Sequence, residues 1–389
     1  MTPNARYAAA IDILDRIQRG DAAEKVLTNW ARSNRFAGSK DRREIRNIVF
    51  DALRRKIEAQ VLGGGSTGRQ IVLGLLRLND IDPQSVFTGE GYAPPLLSEG
   101  ELNFLLTDVQ PSEDDKCNIQ EWMLSKVPAN LKDEFRSQSS RADLYLRVNK
   151  RKSNLEDALN DLASDAIDCE ALDAPPFALR VEKGAQHVAR SNAYLSGKVE
   201  IQDAGSQAVI HALNIPVEKS ASILDYCAGG GGKSLALAAL SEATISAWDE
   251  NTNRMNDLSG RAERAGVAIK ILTEQPTEDK TFDYVLLDVP CSGSGAWRRN
   301  PDGKWKITEN DFENLLVTQK EILRNAVKLT NQSGKIGYVT CSLFEQEDMS
   351  QVRAFLADCR DWSLAQSGAF YPSEGTDGFF YAEFERQSL

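Results

Sequence analysis

Apolar positions near the N-terminus repeat with the period of a helix. Tyr7, Ile11, Leu14 and Ile17 fall at i, i+4, i+7 and i+10, which lines one helical face. Ile45, Ile48, Val49 and Leu53 form a second such stripe behind Ser39, a residue suited to cap a helix. The glycines between 63 and 68 interrupt the pattern, and residues 71–78 resume it. Residues 80–100 hold Pro, Gly and acidic side chains and read as a loop. Residues 101–106 and 119–135 read as helical again.

Near residue 143 the period shortens. Residues 144–149 read as a strand, a helix follows from Ser153, and 178–181 form another strand. From residue 198 apolar strands at 222–226, 245–248, 284–287 and 336–340 alternate with helices at 235–240, 257–265, 311–329 and 345–356. Such alternation predicts a doubly wound, mostly parallel sheet. The expected organisation is therefore an all-α domain over 1–135, a small α+β module over 136–197 and an α/β Rossmann-like domain over 198–389.

The chain has 389 residues, too many for one ordinary domain. No stretch approaches the roughly 20 apolar residues of a membrane-spanning helix, and the first 25 residues are too charged for a secretory leader. Six cysteines form no CxxC pair, and there are only two histidines. A cytoplasmic chain with reduced thiols and no metal is expected. The scarcity of histidine also argues against Ser-His hydrolysis. Net charge is −11, yet residues 1–56 hold 13 Lys/Arg and 7 Asp/Glu. This segment is +6 and the remainder −17, an asymmetry that suggests a basic domain meeting phosphate.

The densest chemical signal is Asp225-Tyr226-Cys227-Ala228-Gly229-Gly230-Gly231-Gly232-Lys233-Ser234, between a strand and a helix. Glycines there let a ligand approach the backbone at the helix N-terminus. Three ligands compete. A phosphate loop needs glycine where Cys227 stands, and a dinucleotide fingerprint needs glycine where Ser234 or Leu235 stands. S-adenosylmethionine favours an acid after each of the first two strands, and Asp225 and Asp249 fill those places.

Two further signals follow strands: Asp288-Val289-Pro290-Cys291-Ser292-Gly293-Ser294-Gly295 and Thr340-Cys341-Ser342. Carboxyl ends of adjacent parallel strands converge on one crevice, so both cysteines and Asp288 should meet beside the glycine turn. A thiolate there could attack an electrophilic carbon. Cys227, inside the turn, reads as packing. Arg298 and Arg299, with Trp305 nearby, suit an RNA phosphate and a stacked base.

Together these residues resemble the RNA (cytosine-5) methyltransferases of the Sun/Fmu family over nearly the whole chain. Gln202-Asp203-Ala204-Gly205-Ser206 is similar to its QDxxS motif, and residues 225–234 to its cofactor turn. Asp288 to Gly295 resembles DxPCSGxG, residues 298–305 RRxPDxxW, Thr340-Cys341-Ser342 TCS, and Asp377 to Phe380 the closing DGFF. Arg147-Val148-Asn149 resembles the RVN strand of the family's small RNA-binding module, and the N-terminal helices, with Arg42 and Arg43, a NusB-type domain. Gly230 stands where the family has proline.

The resemblance implies S-adenosylmethionine-dependent methylation of cytosine carbon 5 in RNA, small-subunit ribosomal RNA in the first place, by a monomer. Transfer RNA is the other substrate class, and a non-catalytic RNA-binding or assembly factor is the rival from another class. It implies Cys341 as nucleophile, Cys291 as the group that releases product, Asp288 on the base and Lys233 beside both. The cofactor would lie on Asp225, the turn from Cys227 and Ala228 through Gly229, Gly230, Gly231, Gly232 and Lys233, and on Asp249, Glu274 and Asp288. RNA would meet Arg42, Arg43, Arg147, Asn149, Gln202, Asp203, Arg298 and Arg299.

Overall fold

The computed structural model describes residues 1–387. Two compact units emerge: Met1–Arg141 with Trp297–Thr308, and Ala142–Ala296 with the chain from Glu309 onward.

The first unit begins with α1 (Pro3–Gln18), α2 (Ala23–Ser33), α3 (Ser39–Arg54), α4 (Lys56–Gly63) and α5 (Gly68–Leu78). It continues through α6 (Glu99–Leu105), α7 (Glu121–Leu124) and α8 (Lys132–Ser137). Thr2 caps α1 by accepting from the Ala5 amide at 3.3 Å, with Pro3 at the first helical position. The buried stripe of α1 is Ala10, Ile13, Leu14 and Ile17, so Tyr7 and Ile11 flank the core. α4 and α5 pack unusually close: a Cβ on Gly74 would fall 1.8 Å from the Ala59 carbonyl oxygen. The single helix expected over 119–135 is broken into α7 and α8. Pro128 lies between them, with no amide to donate and a ring that disfavours helix in the preceding residue.

The second unit holds two sheets. β1 (Leu144–Val148), β2 (Asp168–Ala171), β3 (Ala178–Lys183) and β4 (Val199–Ile201) pair antiparallel in the order β2-β3-β1-β4. Helix α9 (Leu155–Ser164) buries Ala158 and Leu162 in their core, and α10 (Asn192–Leu195) leads into β4. Next come α11 (Ala204–Ala212), β5 (Ser222–Asp225), α12 (Gly232–Leu240), β6 (Thr244–Ala247), α13 (Leu258–Ala265), β7 (Ile269–Ile271) and β8 (Phe282–Asp288). After Ala296 the chain crosses to the helical unit, where it forms α14 (Gly303–Lys306). It returns as α15 (Glu309–Leu329), β9 (Thr330–Thr340), α16 (Met349–Asp358), β10 (Trp362–Phe370) and β11 (Phe379–Arg386).

The large sheet has the order β10-β11-β9-β8-β5-β6-β7. The five strands from β9 to β7 are parallel, and the β10–β11 hairpin is antiparallel. Strand alternation divides its core between two faces. Leu224, Val285 and Tyr338 pack with Leu323 and Phe355, whereas Ile223, Leu286 and Val339 pack with Val209 and Leu237. Burial on both faces is why residues 284–287 read as one apolar run. β5 lies between β6 and β8, so chain order reverses there and opens a crevice at the carboxyl ends.

Candidate active site

The glycine turn lies at that reversal. Gly229 and Gly231 have φ of +53° and +78°, a region side chains disfavour. A Cβ on Gly231 would come 2.2 Å from Leu258 Cδ1. The turn delivers the free N-terminus of α12, which is suited to negative or polar ligand groups.

Asp225 ends β5 and is fully buried. One carboxylate oxygen accepts from Ser234 Oγ at 2.6 Å, and the other has no hydrogen-bond partner. Burial pushes its pKa up to about 7, against the opposing pull of Ser234. Asp249, just past β6, accepts from the Gly229 amide at 2.8 Å and from the Asn251 amide at 3.0 Å. An open glycine turn, an acid with an unmatched oxygen and a second acid after the next strand fit the ribose and amino-acid ends of S-adenosylmethionine. Cys227 and Ala228 continue the turn. Cys227 packs on the sheet core, and burial holds its thiol well above the ordinary range. Gly230 is exposed and its carbonyl accepts from Arg261. Glu274 is exposed three residues beyond β7, while its neighbour Gln275 donates to the Tyr226 hydroxyl at 2.8 Å.

Lys233, the second residue of α12, is buried and lies 2.8 Å from Asp288 Oδ2 at the end of β8. Its ammonium also sits 4.9 Å from the centre of the Phe379 ring. Burial pulls its pKa down most strongly, but the Asp288 carboxylate together with other negative groups turns the net shift upward. The Cys341 sulfur also acts in the upward direction. Lys233 is therefore a fixed positive charge between the glycine turn and the thiols.

Cys291 Sγ and Cys341 Sγ are 3.3 Å apart. Cys341 directly follows β9, and Cys291 follows β8 by three residues. The neighbouring Cys341 sulfur, then burial, raises the Cys291 pKa well above the ordinary thiol value. Cys291 holds its proton. The structure thus brings together Asp225, Asp249, Lys233, Asp288, Cys291 and Cys341.

The expected RNA-facing residues divide differently. Arg42 and Arg43 are exposed on α3. Arg42 lines a cavity of about 620 Å³ with Thr28, Arg32 and Arg35. Arg147, Asn149 and Gln202 are corrections, because all three are buried. Arg147 Nε donates to Gln202 Oε1 at 2.7 Å, and burial lowers its pKa to about 10. Asn149 donates to the carbonyls of Gly197 and Ala265 at 3.0 and 2.7 Å, so the RVN strand braces the fold. Asp203 accepts from the Gly205 and Asp377 amides at 2.8 and 3.1 Å, which caps α11.

Arg298 is corrected too. It is buried in the helical unit, and its carbonyl accepts from Arg54 Nε at 2.8 Å; Arg299 is exposed. Trp305, expected to stack on a base, donates to the Leu53 carbonyl at 2.7 Å and packs on the helical core.

Glu347 carries no sequence signal of its place at the site. It is fully buried and binds both cysteine turns, yet Glu345-Gln346-Glu347-Asp348 reads as the solvated start of a helix.

A family model described as 16S rRNA methyltransferase RsmB/F matches residues 211–385. Ribosomal RNA small subunit methyltransferase B of Sodalis glossinidius is 31% identical over 286 residues, 69% of this chain and 65% of the relative. The enzyme of the same name from Klebsiella pneumoniae is 27% identical over 428 residues, covering 98% of this chain and 97% of the relative. The crystal structure of PH0851 shares the fold, with TM-score 0.75 and 21% identity over 99% of both chains. The residues matched by the family model carry the glycine turn and both thiols, and the chain, similar to these relatives over nearly its whole length, is an S-adenosylmethionine-dependent RNA methyltransferase.

Proposed function

We propose that this chain methylates carbon 5 of a cytosine in small-subunit ribosomal RNA, through a transient bond from Cys341 to carbon 6. The observation that carries the reading is the 3.3 Å pair of thiols beside the Lys233–Asp288 pair. A methyltransferase acting on a nucleophilic nitrogen or oxygen needs neither sulfur.

Carbon 5 of cytosine is a poor nucleophile. The Cys341 thiolate forms a bond to carbon 6, and the ring electrons then make carbon 5 enamine-like. Asp288 accepts from the exocyclic amino group, and Lys233 holds that carboxylate in place. S-adenosylmethionine supplies the methyl group that carbon 5 takes. Asp225, Asp249 and the turn from Gly229 to Gly232 would hold it.

Once the Cys341 sulfur is bonded to carbon 6, Cys291 no longer faces a free sulfur at 3.3 Å. Cys291 then yields its proton to solvent. Its thiolate takes the proton from carbon 5 while the bond from carbon 6 to Cys341 breaks. Cys341 leaves as thiolate and Cys291 is again a thiol, so the net change is one proton released. The target base must leave its stack to reach the crevice.

RNA affinity is assigned to the helical unit, read as a NusB-like RNA-docking domain, and to the small antiparallel module. The cavity edged by Arg32, Arg35 and Arg42 supports this assignment, since it offers cations to a phosphate. A monomer in the bacterial cytoplasm is part of the same reading.

The test is bisulfite sequencing of ribosomal RNA from strains with and without the gene. One small-subunit cytosine should be protected only when the gene is present. Unchanged protection at every small-subunit cytosine would refute the reading.

A further inference from the structure

Glu347 lies six residues beyond Cys341, fully buried between β9 and α16. Four donors converge on its carboxylate. One oxygen accepts from the Ser292 amide at 2.8 Å and from Gln319 Nε2 at 3.0 Å. The other accepts from Ser292 Oγ and Ser342 Oγ, each at 2.5 Å. Ser292 is the residue after Cys291, and Ser342 is the residue after Cys341. A single carboxylate therefore joins the residues that follow the two thiols.

The surroundings repeat the pattern. Gln319 also donates to the Pro290 carbonyl at 3.0 Å, just before Cys291. Asp348 accepts from Thr340 Oγ1 at 2.6 Å, just before Cys341. Tyr338 donates to the Glu347 carbonyl at 2.6 Å, which pins the backbone that carries the acid. Burial raises the Glu347 pKa, although all four donors pull it down. A buried acid is costly to keep where packing alone would suffice. This one is retained where two loops from different strands must meet.

We infer that Glu347 is the positioning residue that sets the two thiols at their working separation, and so couples product release to base attack. This role rests on the cytosine methylation reading. Glu347 touches neither base nor cofactor; it acts through Ser292 and Ser342. The Cys291 thiol must reach the proton on carbon 5 while Cys341 is bonded to the neighbouring carbon 6, and that requires the two turns in fixed register. If the clamp loosens, the first bond still forms, because Cys341 remains at the end of β9. Release then fails, because Cys291 drifts from the ring. The carboxylate also contributes to the raised pKa of Cys291.

The test compares Glu347→Gln, Glu347→Asp, Ser292→Ala and Ser342→Ala in the full chain, with S-adenosylmethionine and an RNA substrate. Glu347→Gln can accept from the Ser292 amide but cannot accept two hydroxyls on its nitrogen. It should lower kcat roughly 10- to 100-fold with KM for both substrates within about twofold, and trap a protein–RNA adduct on a denaturing gel. Glu347→Asp should recover part of kcat, since it keeps the charge. Each serine variant removes one arm without stranding a buried charge, so these keep the question open if Glu347→Gln does not fold. Ser292→Ala should trap RNA.

Wild-type kcat in Glu347→Gln, or slow turnover of a folded variant with no adduct in it or in Ser292→Ala, overturns the clamp. Failure of the parent reading looks different. In that case Cys341→Ala keeps methylating RNA, whatever Glu347 does.

Discussion

Lys233 Nζ and Asp288 Oδ2 meet at 2.8 Å, where the first turn of α12 faces the end of β8. This pair joins the glycine turn to the loop of Cys291. Lys233→Ala would leave Asp288 without its cation beside a nucleophilic sulfur. We expect a loss of about 2–3 kcal/mol in urea unfolding, below the figure for a fully buried pair because Asp288 is partly exposed. We also expect at least a 100-fold fall in kcat. The Lys233 pKa is raised, so the pair's stabilisation is present below the ordinary lysine value of 10.5 and fades as pH climbs through the higher folded value.

Asp225 gives a slope of the same sign at lower pH, with burial rather than pairing as its cause. Its folded pKa of about 7 lies above the ordinary 3.8. Between those values the folded protein binds more protons than the unfolded chain, so stability falls as pH rises from about 4 to about 7. Asp225→Asn removes that slope. Thermal melts of both proteins over this range should converge at low pH and favour the variant near neutrality. Parallel melting curves across the range would contradict the buried-acid account.

Asp249 holds the Gly229 amide, and the proposed function sets the cofactor ribose on it. Titration calorimetry of Asp249→Ala should show cofactor affinity weakened tenfold or more, a loss of about 1.4 kcal/mol or greater. Unchanged affinity in a folded variant would remove Asp249 from the site.

Arg32, Arg35 and Arg42 edge one cavity of the helical unit. Replacing all three by glutamine should weaken RNA binding. The slope of log affinity against log salt should flatten by about 0.7–0.9 for each phosphate left without its cation. Cofactor affinity should not change. Truncating the helical unit is a poorer test, because Trp297–Thr308 packs there and would be stripped of its partners. An unaltered salt slope would assign this cavity no phosphate.

The strand ends that carry Asp225, Asp249, Asp288 and Cys341 were legible in the sequence, because doubly buried strands and Gly/Ser turns leave strong local signals. The cysteine pair followed from topology: residues after adjacent parallel strands must converge. Side-chain direction was not legible. Arg147 is an arginine in a motif, and only the fold shows it turned inward onto Gln202. Arg298 and Trp305 lie in a basic, aromatic segment that resembles an RNA-binding loop, yet residues 297–308 complete the helical unit. No pattern in one sequence reveals that a segment about 250 residues away closes a helical core. Glu347 was hidden for a related reason: an acid among acids carries no mark of burial. In the β10–β11 hairpin only β10 is largely half-exposed and weakly patterned, whereas β11 buries Phe380, Ala382 and Phe384 against the sheet core.

In the proposed reaction two thiols 3.3 Å apart perform successive steps on one carbon–carbon bond of the base. Roles that belong to separate barriers can be separated by substitution. The most direct measurement is denaturing electrophoresis of Cys291→Ala and Cys341→Ala after incubation with S-adenosylmethionine and substrate RNA. Cys291→Ala should give a slow-migrating covalent protein–RNA band that carries the transferred methyl group, and Cys341→Ala should give neither adduct nor methylated RNA. An adduct formed by Cys341→Ala and not by Cys291→Ala would reverse the two roles, and full activity in both variants would contradict the account.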